Sequence, residues 1–186
     1  MPVCRTSTGR FYFAEIGHSH FAATDNYGFA TDLENLSISP VNTVTGLKLN
    51  TNTATLNVNN GFALFNSTGF SVSTNIAVGN GSSTTSVTGG ILIWGGGNNQ
   101  VKLNNADGNV MDGIDIYNSF NNSVNSNLAS GNNNLGISIF ATSNSNKISN
   151  NIAEGNTLDL QDYDACGANN WSKNLFITSN PSSCIH

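Results

Sequence analysis

Apolar and polar residues alternate over short stretches of this chain, and the stretches recur. GFALF (61–65), GILIW (90–94), GIDIY (113–117), GISIF (136–140) and DLQDY (159–163) form one series, and the last four begin 23 residues apart. A second series interleaves with it: NTATLN (52–57), NIAVGN (75–80), NNADGN (104–109), NLASGN (127–132) and NIAEGN (151–156), with starts 23, 29, 23 and 24 residues apart. An apolar residue precedes each of these at Leu49, Val72, Val101, Val124 and Ile148, and Trp171 precedes a sixth copy opening at Asn174. A period of two predicts strands, with Ile91, Ile114, Ile137 and Leu160 facing a core together with Ile93, Ile116 and Ile139. A unit of about 23 residues is too short for two packed helices, but it suits one coil of a parallel β-helix. Coils stack about 4.8 Å apart, so six make a rod roughly 30 Å long.

Composition supports order without charge. Only 9% of residues are charged, whereas the chain holds 33 Asn and 19 Gly. Asn suits the corners of such a coil because it tolerates left-handed backbone and bonds locally to main chain. Stacked at equivalent corners, Asn side chains form hydrogen-bonded ladders. Ten residues, GSSTTSVTGG (81–90), lengthen one coil by about six residues, a loop by the repeat logic. Net charge is −5, and the two arginines are Arg5 and Arg10. No basic stripe exists to displace counterions, which excludes an ordinary nucleic-acid binder. No apolar run is long enough for a membrane-spanning helix. The first residues lack the charged-then-apolar pattern of a signal peptide, so the chain reads as mature-like, trimmed or intracellular. Cys166 and Cys184 bracket the last segment, as a disulfide would in an oxidising compartment; two thiols would look the same in sequence.

The repeat resembles the right-handed parallel β-helix superfamily of pectate lyases and related secreted repeat proteins, over about residues 36–186. The ending DLQDYDACGANNWSKNLFITSNPSSCI resembles the closing segment of bacterial β-helix repeat proteins, through Asp159, Leu160, Cys166, Asn169, Trp171, Asn174, Phe176 and Cys184. The resemblance implies an all-β, right-handed solenoid of about six coils. Residues 1–35 are then an N-terminal cap or irregular segment, 36–163 the coils, and 164–186 the final coil and C-terminal cap. It carries over no catalytic residue. No Arg follows residue 10, and the N-T-D, G-H-G and R-I-K signatures of the polygalacturonase branch are missing.

Two groups of side chains remain as candidate chemistry. Phe65, Trp94, Tyr117, Phe140 and Tyr163 follow the inward residues and are predicted to point outward as a column of rings. Pyranose C–H faces pack on such rings, and Leu92, Asp115, Ser138 and Gln161 form the next column, read as outward hydrogen-bond partners; stacked aromatics also simply stabilise neighbouring strands. Asp112 and Asp115 are weak catalytic candidates, because two carboxylates support glycoside hydrolysis and several hold Ca²⁺. Asp112 otherwise reads as a turn residue, and Asp162 replaces an inward apolar residue where a cap begins. Asp107 and Asp164 are further acids in the same two coils, Asp107 in a variable, solvent-facing slot. His18 and His20, in GHSH, are too few for a metal site, so no metal or cofactor is assigned beyond that possible Ca²⁺. Threonines form no regular T-x-T array, which weighs against ice binding.

These residues favour a non-catalytic extracellular, cell-surface or periplasmic module binding neutral carbohydrate or a protein partner through Trp94, Tyr117, Phe140, Tyr163, Asp115 and Gln161. The alternatives are a carbohydrate-active enzyme (a polysaccharide lyase, glycoside hydrolase or epimerase) or a structural stalk. End-to-end or side-by-side assembly of rods is open.

Overall fold

A computed structural model describes residues 16–17, 19–22, 28–30, 44–82 and 88–186. Cys4, Arg5, Arg10, His18 and residues 83–87 of the 81–90 loop lie outside these residues, as does the side chain of His20. Every strand in the described chain pairs parallel to its neighbour, and no helix occurs among the described residues. Two sheets carry seven strands each, so six coil-to-coil steps separate first from last. One runs from Ile16–Gly17 through Lys48–Asn50, Ser71–Ser73, Gln100–Lys102, Ser123–Asn125 and Lys147–Ser149 to Asn170–Ser172. The other runs from Phe29–Ala30 through Phe62–Phe65, Gly89–Trp94, Asp112–Tyr117, Leu135–Ile139 and Leu158–Asp162 to Ser179–Asn180. A third face is pinched to strands and single bridges, from His20–Ala22 past Asn105 and Leu128 to Leu175–Phe176. This is the parallel β-helix of about six turns that the repeat implies.

The register follows the repeat. Ile91 pairs with Ile114, Ile114 with Ile137 and Ile137 with Leu160, and all four are buried with Ile93, Ile116 and Ile139. On the opposite wall Leu49, Val72, Val101, Val124, Ile148 and Trp171 stack as a second buried column, and Ala54, Ala77, Ala106, Ala129 and Ala153 fill the narrow third. The glycine opening each Gly-Ile strand answers to close approach: a Cβ on Gly113 would sit 2.6 Å from the Gly136 carbonyl oxygen and 2.7 Å from Asn132 Nδ2.

Corners obey one rule. The residue before each motif asparagine takes the left-handed conformation, and the asparagine turns its amide inward. Thr51, Thr74, Leu103, Ser126, Asn150 and Lys173 lie at φ 55 to 57° before Asn52, Asn75, Asn104, Asn127, Asn151 and Asn174. The left-handed position expected of the motif asparagines therefore belongs to their neighbours. Asn127 is typical: its Nδ2 donates to Asn151 Oδ1 at 3.0 Å and to the Val101 carbonyl at 2.9 Å. Its own Oδ1 accepts from the backbone N–H and side chain of Asn104, both at 3.0 Å. Buried amides are tolerated because every donor and acceptor is paired along the rod.

Strands Ile16–Gly17, His20–Ala22 and Phe29–Ala30 pair in register with Lys48–Asn50, Thr53–Thr55 and Phe62–Phe65. Part of the stretch read as a non-repeating cap thus supplies a first rung, which its sequence conceals by lacking the Asn motifs. At the other end Ile185 enters the core cluster and Cys166 pairs with Cys184, their Cα atoms 5.4 Å apart.

Candidate functional site

The sheet carrying Gly89–Trp94, Asp112–Tyr117, Leu135–Ile139 and Leu158–Asp162 brings both candidate groups together. Because the coils stack in exact register along Trp94 and Tyr117, the aromatic residues fall one above another. Ring centroids are 6.0 Å apart for Phe65 and Trp94, 4.5 Å for Trp94 and Tyr117, 5.4 Å for Tyr117 and Phe140, and 5.2 Å for Phe140 and Tyr163. Those are tilted and offset-stacked separations at which rings attract. Trp94 is 37% and Tyr163 51% exposed, and Phe65, Tyr117 and Phe140 are half-buried. The column is a continuous aromatic strip open to solvent on one side.

The neighbouring column differs from its expected placement. Leu92, Asp115, Ser138 and Gln161 are all buried, none more than 4% exposed. Period-two alternation says which side of a sheet a residue occupies, not whether anything stands over it. Gln161 is also spent internally: its Nε2 donates to the Asp162 carbonyl at 3.0 Å and its Oε1 accepts from Asn180 Nδ2 at 3.1 Å. Asp115 and Gln161 therefore do not offer surface hydrogen bonds beside the rings. Asp112, read as a turn residue, opens a strand and is fully buried.

Asp112 and Asp115 lie on one strand, each within hydrogen-bonding reach of the other. Asp112 Oδ1 accepts from Leu135 N at 2.9 Å and Asn134 Nδ2 at 2.7 Å, while Asp112 Oδ2 is the one buried side-chain oxygen or nitrogen without a hydrogen-bond partner among the described residues. Ser138 Oγ donates to Asp115 Oδ1. Burial raises Asp112 to about 6, although the Leu135, Asn134 and Asp115 hydrogen bonds act the other way. Burial first, and the Asp112 charge second, push Asp115 well above the usual carboxylate range. Tyr163 is raised by its own burial and then by both acids, which places the last exposed ring of the strip within their field.

Other acids have structural duties. Asp159 Oδ1 accepts from Asn156 N and Nδ2 at 3.1 and 3.0 Å, and its Oδ2 from Ile177 N and Thr178 N, both at 2.9 Å. Asp162 Oδ2 accepts from Trp171 Nε1 at 2.7 Å, which accounts for an acid at an inward position. Asp164 accepts from Thr142 N and Ser143 N, and Asp107 from Ser130 N, so neither simply faces water. Among the described residues no three His, Cys, Asp or Glu side chains gather as metal ligands, and no helix is long and apolar enough to cross a membrane.

Parallel coils, inward asparagine ladders and buried aliphatic columns define a pectate-lyase-like β-helix protein. The chain matches the family model described as "Periplasmic copper-binding protein (NosD)" over residues 18–182, and it belongs to that family. It is similar in fold to two solved modules of Azotobacter vinelandii. The mannuronan C-5 epimerase AlgE6 A-module aligns with TM-score 0.55 and 15% identity, over 86% of this chain and 51% of the module. The AlgE4 A-module aligns with TM-score 0.56 and 17% identity, over 85% of this chain and 52% of the module. The chain thus spans about half the length of either module. No curated protein sequence matches significantly.

Proposed function

We propose that this chain is a non-catalytic β-helix module, acting outside the cytoplasm, that binds a neutral carbohydrate along the strip Trp94, Tyr117, Phe140 and Tyr163. One observation carries the reading: five stacked rings in register, with Trp94 and Tyr163 open to solvent. Aromatic faces on a rigid sheet give contact area at small entropic cost, and a low-charge surface suits a neutral ligand better than a polyanion. The family's periplasmic description and the sugar-modifying relatives in fold agree with this setting. A protein partner laid along the same strip is the other occupant.

Catalysis by Asp112 and Asp115 gains no support, since both are buried at 0 and 1% exposure and reach no open surface. Copper, which the family description names, prefers imidazole and sulfur donors. Among the described residues Cys166 and Cys184 pair with each other, Met111 is the one methionine, and no cluster of His, Cys or acids forms. That donor set does not fit a copper centre, and no step is derived through one. Glycan-array binding followed by calorimetry tests the proposal: binding of a neutral glycan that disappears in Trp94→Ala and Tyr117→Ala supports it. Binding left intact in both variants removes the strip as the platform.

A further inference from the structure

Two buried carboxyl groups lie side by side with no Lys, Arg or His on their strand or the strands paired with it, which raises a question of charge. A carboxylate oxygen buried without a donor costs free energy, and two adjacent buried anions cost more. Asp112 Oδ2 is such an oxygen, and its neighbour is another buried acid. On this strand and the two paired with it, Gly89–Trp94 and Leu135–Ile139, Tyr117 is the one titratable side chain besides the pair; the next strand, Leu158–Asp162, adds Asp159 and Asp162, and Tyr163 follows it. Lys, Arg and His do not occur on these four strands. Asp159 and Asp162 are engaged with their own donors, and Tyr163 feels the pair only as negative charge.

We propose that Asp112 and Asp115 share one proton, carried by Asp115 and donated to Asp112 Oδ2, and that its loss destabilises the sheet that carries the aromatic strip. The donor pattern fixes the direction. Asp112 already takes two N–H donors on Oδ1, as an ionised carboxylate does, whereas Asp115 takes the single Ser138 hydroxyl on Oδ1. A carboxylic acid at Asp115 accepts that hydroxyl on one oxygen and gives its own O–H from the other. The orphan Asp112 oxygen is thereby satisfied with no group added. A bound Ca²⁺ explains the same oxygen less well, because Ca²⁺ asks for six to eight oxygen ligands and two of the four oxygens here already receive donors. Deprotonation releases the Asp115 proton to solvent and leaves two anions facing each other beneath the strip. The inference stands independently of what the rings bind.

The sign is set by linkage. In the unfolded chain both groups ionise near pH 4, whereas the folded pair holds a proton to higher pH, as the rise of Asp112 to about 6 illustrates. Stability from the pair is full below about pH 4 and is lost as pH rises through and beyond 6. The experiment compares Tm from pH 4.5 to 7.5 for the wild type and Asp115→Asn, whose amide reproduces the proposed donor without a titrating proton. The variant is expected to match the wild type at pH 4.5 and to exceed it by about 5 °C at pH 7.5. An equal Tm difference at both ends of the range overturns the proposal. Infrared spectroscopy of the wild type at pH 6 should show a protonated carboxyl stretch, and its absence overturns the proposal even if the variant fails to fold. A third arm adds CaCl₂ or a chelator: unchanged wild-type Tm supports the shared proton. A saturable rise in wild-type Tm that Asp115→Asn abolishes makes the pair a cation site instead.

Discussion

Two pairs of buried acids sit on the same sheet and have opposite electrostatic characters. Asp159 and Asp162, near the C-terminal end, are met by donors: four N–H groups reach Asp159, and the Trp171 indole and Asn169 amide reach Asp162. Asp112 and Asp115, both two coils away along the rod, share three donors between them. Burial works to raise Asp159 too, but the hydrogen bonds from Ile177, Thr178 and Asn156 outweigh it and hold the group below its ordinary value. Burial therefore does not decide whether an acid is charged; the count of donors does. The consequence is a division of labour. Asp159 terminates the rod, taking the place of the next asparagine and accepting from Asn156 N and Nδ2 where the ladder ends. The under-donated pair lies where the exposed rings are.

The largest effect should come from Asp159→Ala, which removes the acceptor of four part-buried donors and, at about 1 kcal/mol for each hydrogen bond, is expected to cost about 4 kcal/mol in urea unfolding. A cost under about 1 kcal/mol would mean that the C-terminal cap rearranges freely and the contrast between the pairs is lost. The same group gives an acid limb: its lowered folded value contributes stability above about pH 4, lost as pH falls through the folded value. Tm measured from pH 5 down to 2 should fall less steeply in Asp159→Asn than in the wild type.

Next, reducing Cys166–Cys184, which closes a separation of 18 residues, should lower stability by about 3 kcal/mol, read as a shift in urea midpoint with and without reductant. A protein whose midpoint ignores reductant would have its C-terminal end held by Ile185, the Asp159 hydrogen bonds and the pairing of Ser179–Asn180 with Leu158–Asp162. Asp112→Asn should act in the opposite direction to Asp159→Ala, stabilising by about 2 kcal/mol at pH 7.5 and by little at pH 4.5. Destabilisation at both pH values would show the pair to be charged and needed as such. Smallest is Trp94→Ala: with 37% of the residue exposed and stacking on Tyr117, it should cost about 1 kcal/mol in urea unfolding while removing any strip-bound glycan. A large loss of stability would reassign the ring to structure.

Much of the fold was legible in the chain because a solenoid repeats its instructions. Ile91, Ile114 and Ile137 announce a wall of the core by spacing alone, and the Asn motifs announce the corners. The first rung was not legible, since Ile16–Gly17 and His20–Ala22 pair with the next coil without sharing its motif. At the site, the stacking of Trp94 on Tyr117 followed from register, while the burial of Asp115 and Gln161 did not. Alternation put them on the outer side of the sheet, and covering depends on neighbours far away in sequence.

The opposed fates of the acids could not be read from sequence either. Asp112 and Asp159 both border a Gly-Ile or Asp-Leu strand, and nothing local marks one as under-donated. The amino-acid sequence by itself determined the coil, its period, its core columns and its aromatic strip, because these follow from which residue types recur at which spacing. Only the tertiary structure decided which carboxylates meet enough donors and which meet each other, because donors such as Leu135, Ser138 and Ile177 come from the next coil, 18 to 23 residues along the chain.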